Sequence, residues 1–259
     1  MSKTKLPWRL VWITGAGTGI GRSTALLLAR RGCDVVITGR RMNILESVVE
    51  EARAQGYGGR IWPLSMDVTE PGAYERAVAD IQQHWDLPDL VILNAGNHIE
   101  MPLDQLNLDS CRSLMEINYF AVMAGLETVL PLMRARGSGQ VACTASLAGY
   151  RGLPTAAAYG ASKAALINAC EALQVELAGS GVRLQVINPG FVKTPLTDRN
   201  TFAMPQLISP ENAAEAIVKG LQSSRFEIRF PRLFATSMAL LSFLPDWLYF
   251  RLVKRGTGL

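Results

Sequence analysis

Histidine is the scarcest reactive side chain here: only His84 and His98 occur in 259 residues, neither in a recognisable setting. A Ser-His-Asp hydrolase therefore has little to stand on. The four cysteines, Cys33, Cys111, Cys143 and Cys170, are isolated, with no C-x-x-C and no partnered histidine spacing. That pattern points neither to a metal site nor to a disulfide framework, and it suits a reducing, cytoplasmic compartment. The segment Met1 to Leu10 carries Lys3, Lys5 and Arg9 but lacks an apolar core, so no signal peptide is expected. Clustered charge is scarce as well. The net charge is +4, yet the basic residues are dispersed apart from Arg30-Arg31 and Arg40-Arg41. This balance suits an anionic cofactor or an acidic membrane surface and gives no specific support to nucleic-acid binding.

What is present is enough apolar material for one sizeable core: 49% of residues are hydrophobic and 19% charged. One domain, residues 1–259, is the expectation. The run Leu10 to Thr14 is apolar and β-branched, stops at Thr14-Gly15-Ala16-Gly17-Thr18-Gly19-Ile20-Gly21, and is followed by helical composition from Ser23 to Arg31. In this strand–turn–helix, Gly15 permits a tight exit, while Gly19 and Gly21 remove Cβ atoms where a pyrophosphate and the strand come close. The helix start then offers bare N–H groups to the phosphates. A second strand, Cys33 to Thr38, ends at Gly39-Arg40-Arg41. Where a carboxylate would hold the ribose 2′-hydroxyl of NAD, this chain has Gly39 and two guanidiniums, which favours the 2′-phosphate of NADP(H) and leaves NAD as the second option. Arg22 adds positive charge nearby.

Further strands are expected at Ile61 to Met66, Leu90 to Leu93, Gln140 to Ala145 and Val182 to Ile187, with another at Arg225 to Phe230. Helices are expected at Asn43 to Gln55, Gly72 to His84, through Asn118 to Met133, Tyr159 to Ala178 and Pro210 to Gln222. Alternation of strand and helix gives an α/β, Rossmann-type, doubly wound parallel sheet in three layers, with ligand at the C-terminal strand ends. Tyr159 and Lys163, four residues apart, share a helix face, so an ammonium can favour the ionised phenol. Ser146 lies thirteen residues upstream, and the polar Asn118 interrupts an apolar helical sequence, costly if buried without partners.

The ordered set of the glycine turn, Asn94-Ala95-Gly96, Asn118, Ser146 and Tyr159-Gly160-Ala161-Ser162-Lys163 resembles the short-chain dehydrogenase/reductase family, from about Leu10 to Thr197. That resemblance implies an NAD(P)-dependent oxidoreductase interconverting a small-molecule carbonyl compound and an alcohol, with Asn118, Ser146, Tyr159 and Lys163 as the active site. It makes Tyr159 the general acid or base. Lys163 would lower the tyrosine pKa and hold ribose hydroxyls, and Ser146 would bind the substrate oxygen. The Asn118 kink would hold a water linking the lysine to solvent. The resemblance also assigns Gly15, Thr18, Gly19, Ile20 and Gly21 to the phosphates, Asp67-Val68 to the adenine and Asn94, Ala95 and Gly96 to support beneath the cofactor. Pro189, Gly190, Val192 and Thr194 fall over the nicotinamide, with the Val192 N–H at the carboxamide. Asp67 also reads as a helix N-cap. Leu93 stands where the family usually keeps a second asparagine.

The segment 194–210, with Phe202, Met204 and Leu207, is expected to be a substrate lid with an apolar wall, consistent with a lipophilic substrate. The tail, residues 232–259, has an uncharged run Leu233 to Leu244, too short to span a bilayer, then Trp247, Tyr249 and Phe250 among Arg251, Lys254 and Arg255. It reads as a membrane-surface anchor, a subunit contact or a cover on the pocket. Pairing of the two long helices across a two-fold axis, common in the family, implies a homodimer or homotetramer. A catalytically silent NAD(P)-binding redox sensor is the alternative function; it has no need of all four active-site residues.

Overall fold

A computed structural model describes residues 6–200 and 202–257. Lys3 and Lys5 at the chain start, Thr201 within the expected lid and the last two residues of the tail lie outside the described residues.

Strand β1 (Leu10–Thr14) shows how the core is divided. All five residues are buried, and because side chains alternate across a strand, Val11 and Ile13 enter one apolar cluster while Leu10 and Trp12 enter the other. Only a sheet covered on both faces tolerates such a run. The remaining strands are β2 (Asp34–Gly39), β3 (Ile61–Ser65), β4 (Leu90–Leu93), β5 (Gly139–Thr144), β6 (Val182–Pro189) and β7 (Glu227–Phe230). Every pairing is parallel, in the order β3-β2-β1-β4-β5-β6-β7. Helices α1 (Gly19–Arg30), α2 (Met42–Ala54) and α7 (Pro210–Leu221) cover one face. The other face is covered by α3 (Ala73–His84), α5 (Ala121–Arg136) and α6 (Ala157–Glu176). The chain order reverses between β1 and β4, which opens a crevice at their C-terminal ends.

Several local expectations are corrected. The long helix through Asn118 is α4 (Leu108–Met115), one wide π turn (Glu116–Phe120) and then α5, with Asn118 inside the wide turn. Asp67 caps no helix; Gly72 stands at the cap position before α3, and the Asp67 carboxylate instead accepts from the Thr69 N–H and hydroxyl at 3.0 and 2.8 Å. The seventh strand joins the main sheet beside β6. Beyond it the tail folds as two helices, α8 (Arg232–Ser242) and α9 (Asp246–Thr257). No helix among the described residues is long and apolar enough to cross a membrane.

Candidate active site

A cleft of about 380 Å³ lies over the C-terminal ends of the central strands. At its floor the chain leaves β1 through Gly15, whose φ is +65°. A Cβ on Gly15 would stand 2.7 Å from the Ala95 Cα, so the turn can approach β4 only as glycine. Asn94 fixes that approach: its side-chain amide donates to the Thr14 and Gly15 carbonyls at 3.1 and 3.3 Å, while the Asn94 and Ala95 N–H groups both donate to Thr14 Oγ1. Gly21 lies under this clamp, where a Cβ would be 2.6 Å from Asn94 Nδ2. Its bareness serves packing, and it does not line the cleft.

Helix α1 starts at Gly19 with no acidic residue in its first turn, and the Thr18 side chain does not cap it. Its first N–H groups are therefore open to an anion placed over the turn. Gly19, at φ +55°, lies against Thr194; a Cβ there would come within 2.9 Å of Thr194 Cγ2. Thr18, Gly19, Ile20, Gly96, Pro189, Gly190, Val192 and Thr194 all line the cleft. Thr194 and Thr197 are tied together, and Thr197 Oγ1 donates to the Val192 carbonyl at 2.6 Å, holding this strip as one turn.

The far end of the cleft is lined by Arg40, Arg41, Asp67 and Val68. Arg40 is exposed and stands 4.0 Å from Asp67, whose carboxyl is held below its usual pKa: burial opposes ionisation, but the Thr69 hydrogen bonds and Arg40 outweigh it. Arg22 is not brought here. It turns away to pair with Glu51 of α2, so its expected contribution to the cleft is not seen.

At the other end, Ser146 follows β5 and opens the short turn Leu147–Gly149. Two glycines let that turn lie on α6: a Cβ on Gly149 would be 2.9 Å from the Lys163 carbonyl carbon, and one on Gly160 would be 3.0 Å from the Ala148 oxygen. Ser146 and Tyr159 thereby converge, close enough for the serine hydroxyl to act on the ionisation of the phenol. Burial raises the Tyr159 pKa, and the Ser146 hydroxyl opposes the rise. Lys163 is almost fully buried, its Nζ 2.9 Å from the Thr144 carbonyl and 5.9 Å from the centre of the Tyr159 ring. Its pKa falls to about 8 through burial, opposed by Cys143. In the protein alone the tyrosine's shift runs upward and the lysine is not among its causes, whereas the expected lowering belongs to the lysine together with the cationic nicotinamide of a bound oxidised cofactor.

Asn118 is fully buried and satisfied, which explains how an apolar helix tolerates it. Its Oδ1 accepts from the Asn97 N–H, and its amide donates to the Asn97 carbonyl and to Ser162 Oγ, at 2.9, 2.9 and 3.1 Å. Ser162 in turn donates to the Tyr159 carbonyl at 2.7 Å. Ser162, His98 and Asn200 belong to this neighbourhood and were not singled out from sequence: Ser162 was only a spacer between Tyr159 and Lys163, and His98 carried no motif. His98 packs edge-on against Tyr159, ring centroids 4.6 Å apart.

The fold has close parallels. Residues 9–204 match the family model described as short chain dehydrogenase. An uncharacterised oxidoreductase of Myxococcus xanthus is 37% identical over 251 residues, covering 97% of this chain and 98% of its own. The 3-oxoacyl-[acyl-carrier-protein] reductase FabG of Thermotoga maritima is 29% identical, covering 86% of each chain. Among solved structures, a short chain dehydrogenase from Burkholderia cenocepacia in complex with NADP superposes with a TM-score of 0.81 at 26% identity, covering 97% of this chain and 99% of that one.

Proposed function

The chain belongs to the short chain dehydrogenase family of oxidoreductases, and from that premise we propose that it interconverts a ketone or aldehyde and an alcohol, with NADP(H) as the preferred cofactor and NAD as the lesser one. The observation that carries this reading is one cleft with two chemically different ends: Ser146 and Tyr159 together with a buried Lys163, and a Gly39-Arg40-Arg41 strand end with no carboxylate on the expected ribose position. The residues fit a dinucleotide. The uncapped start of α1, facing the cleft at Thr18 to Ile20, suits a pyrophosphate; Asp67 and Val68 suit an adenine; Pro189 to Thr194 suit a nicotinamide.

When bound, the cofactor supplies or accepts the hydride. The protein's own part is to manage charge on the substrate oxygen. Ser146 Oγ donates a hydrogen bond to that oxygen, and Tyr159 Oη delivers a proton to it as the alcohol forms, or withdraws one in the reverse direction. Lys163 keeps a cation near the phenol and reaches the ribose side of the cleft. Asn118 acts through others: by fixing Asn97 and, through Ser162, the backbone of Tyr159, it sets where the phenol stands.

Apolar rings gather behind the strip Gly190 to Val192 that lines the cleft. Phe191 stacks on both Phe202 and Phe234, with centroids 5.8 and 5.6 Å apart, which supports a lipophilic substrate under a lid formed by residues 194–210. Reduction of a panel of ketones and aldehydes with NADPH and with NADH tests the reading; absence of turnover with every carbonyl compound refutes it.

Self-association is the second part of the proposal. Phe120, Leu132 and Val175 are exposed on the wide turn, α5 and α6, and Leu240, Phe243, Trp247 and Phe250 on the tail, more apolar surface than a monomer ordinarily leaves. A homodimer or homotetramer covers them. Membrane-surface contact by the tail of an otherwise cytoplasmic enzyme is the competing use.

A further inference from the structure

Buried polar atoms are ordinarily satisfied, and each exception asks for a reason. Among the described residues, both ring nitrogens of His98 and Oδ1 of Asn200 are buried without a hydrogen-bond partner. The two residues are neighbours: the Asn200 amide lies against the imidazole and influences its ionisation, although neither ring nitrogen meets it in hydrogen-bonding geometry. The His98 nitrogens thus lie beside the ring of Tyr159, a residue that lines the cleft, with the Asn200 oxygen next to the imidazole.

We propose that His98 and Asn200 form a polar subsite that takes a neutral hydroxyl carried by the substrate close to its reacting carbonyl carbon. The inference deepens the carbonyl-reductase reading above and rests on it.

The position of both groups is built in. Asn118 grips the Asn97 backbone through its N–H and its carbonyl, and the Asn97 side chain accepts from the His98 N–H at 2.9 Å, so the same clamp that sets Tyr159 sets His98. Asn200 closes the turn Thr197–Arg199, its N–H donating to the Thr197 carbonyl at 3.1 Å, and Thr197 is tied to the cleft strip at Val192. The Asn200 amide nitrogen is directed to Met204 Sδ at 3.5 Å, leaving its oxygen as the free acceptor. Around them Ile99, Met101, Cys111, Leu114 and Ala158 pack with Tyr159, an apolar surround with few polar points of the kind that fixes a ligand's orientation.

The donor set selects the ligand. A neutral imidazole has one N–H donor and one acceptor nitrogen in either tautomer, and Asn200 adds a carbonyl acceptor. Burial disfavours the imidazolium, while Glu100 lies near enough to oppose that effect by its negative charge. A carboxylate would meet two acceptors and the field of Glu100, whereas a hydroxyl both donates and accepts and satisfies the set.

Octan-2-one and its derivatives hydroxylated at C1, C3 or C4 test this in steady-state reduction with NADPH. The full-length enzyme is expected to prefer at least one hydroxyketone by on the order of 100-fold in kcat/KM, since a site built to bond a hydroxyl discriminates against the molecule lacking it. His98→Leu and, separately, Asn200→Leu should collapse that ratio to within about fivefold, and His98→Gln should restore part of it. A ratio near one in the wild type, or a substitution that lowers all ketones equally as loss of a structural water would, overturns the subsite while leaving the reductase reading intact. No turnover of any ketone removes both.

Discussion

Lys163 points its ammonium at the Thr144 carbonyl, 2.9 Å away, and not at the Tyr159 hydroxyl, although the two side chains share one face of α6. The helical spacing places them together, but burial decides what each becomes: it pushes the phenol pKa up and the ammonium pKa down. Both shifts favour neutral groups. The tyrosine therefore keeps its proton before any ligand arrives.

That arrangement makes the first prediction direct. Tyr159→Phe keeps the ring that packs on His98 and deletes only the proton donor, so reductive kcat should fall by about 10²–10⁴-fold. NADPH affinity, measured by fluorescence titration, should stay within about threefold. Normal turnover in this variant would remove Tyr159 from the chemistry; tight cofactor binding with no turnover in the wild type would favour a redox sensor.

The second prediction concerns pH. Lys163 is charged below about 8 and neutral above it. Its ammonium stabilises any negative charge developing on the Tyr159 oxygen, so reductive kcat/KM should be level near neutrality and fall as pH rises through about 8. Lys163→Met should abolish that inflection. The linkage sign for stability is opposite: the folded pKa lies below that of the unfolded lysine, so the unfolded chain binds the extra proton between about 8 and 10.5, and this residue's contribution to stability rises with pH across that window. Melts of wild type and Lys163→Met across that range check the sign.

Third, Arg40→Ala with Arg41→Ala should weaken NADPH by about 1–3 kcal/mol and NADH much less. Charged hydrogen bonds contribute about 1.5–3 kcal/mol each, but Arg40 is largely exposed and its interaction is screened by solvent. Isothermal titration with both cofactors decides it. An equal loss for both, or a wild type that prefers NADH, would overturn the assignment of the strand end.

The sheet was legible because fully buried parallel strands read as unbroken apolar runs, and the glycine turn because only glycine fits beside Ala95. Ser146, Tyr159 and Lys163 stood out through the ordered motif set that resembles the family, since the Tyr-Lys spacing alone is common on helices, and the structure brings all three to one cleft. What could not be read was tertiary in origin. Arg22 is one residue past the glycines, yet Glu51 captures it from another helix. The wide turn at Asn118 depends on bonds to Asn97 and Ser162, distant in sequence and adjacent in space. His98 had no motif because its significance lies in what fails to bond it.

The last prediction concerns the tail, whose inner face is already committed. Ala235 and Met238 of α8 bury against Leu147, and Phe234 approaches so closely that a Cβ on Gly190 would lie 2.9 Å from its ring. Arg151, in the loop between Ser146 and Tyr159, donates to the Ser242 and Leu244 carbonyls at 3.2 and 2.5 Å, pairs with Asp246, and lies 3.9 Å from the centre of the Tyr249 ring. Tyr249 donates to the Gly152 carbonyl of the same loop. The tail therefore holds the loop between Ser146 and Tyr159, and Arg151→Ala should cost about 2–3 kcal/mol and lower kcat without lipid being present. A thermal melt together with steady-state rates reads both effects; an unchanged melting temperature would show that these contacts do not hold the tail. The outer face is a separate matter, because Phe243 and Trp247 are left exposed, and Phe250 is exposed too apart from its edge contact with Tyr249. Replacing Phe243 and Trp247 by Ser should leave the fold intact and lower the oligomeric state seen by light scattering. If the wild type instead co-sediments with anionic vesicles in a salt-sensitive way and this double variant does not, Arg251, Lys254 and Arg255 supply the attraction, about 1 kcal/mol each near an acidic surface, and the face belongs to a membrane.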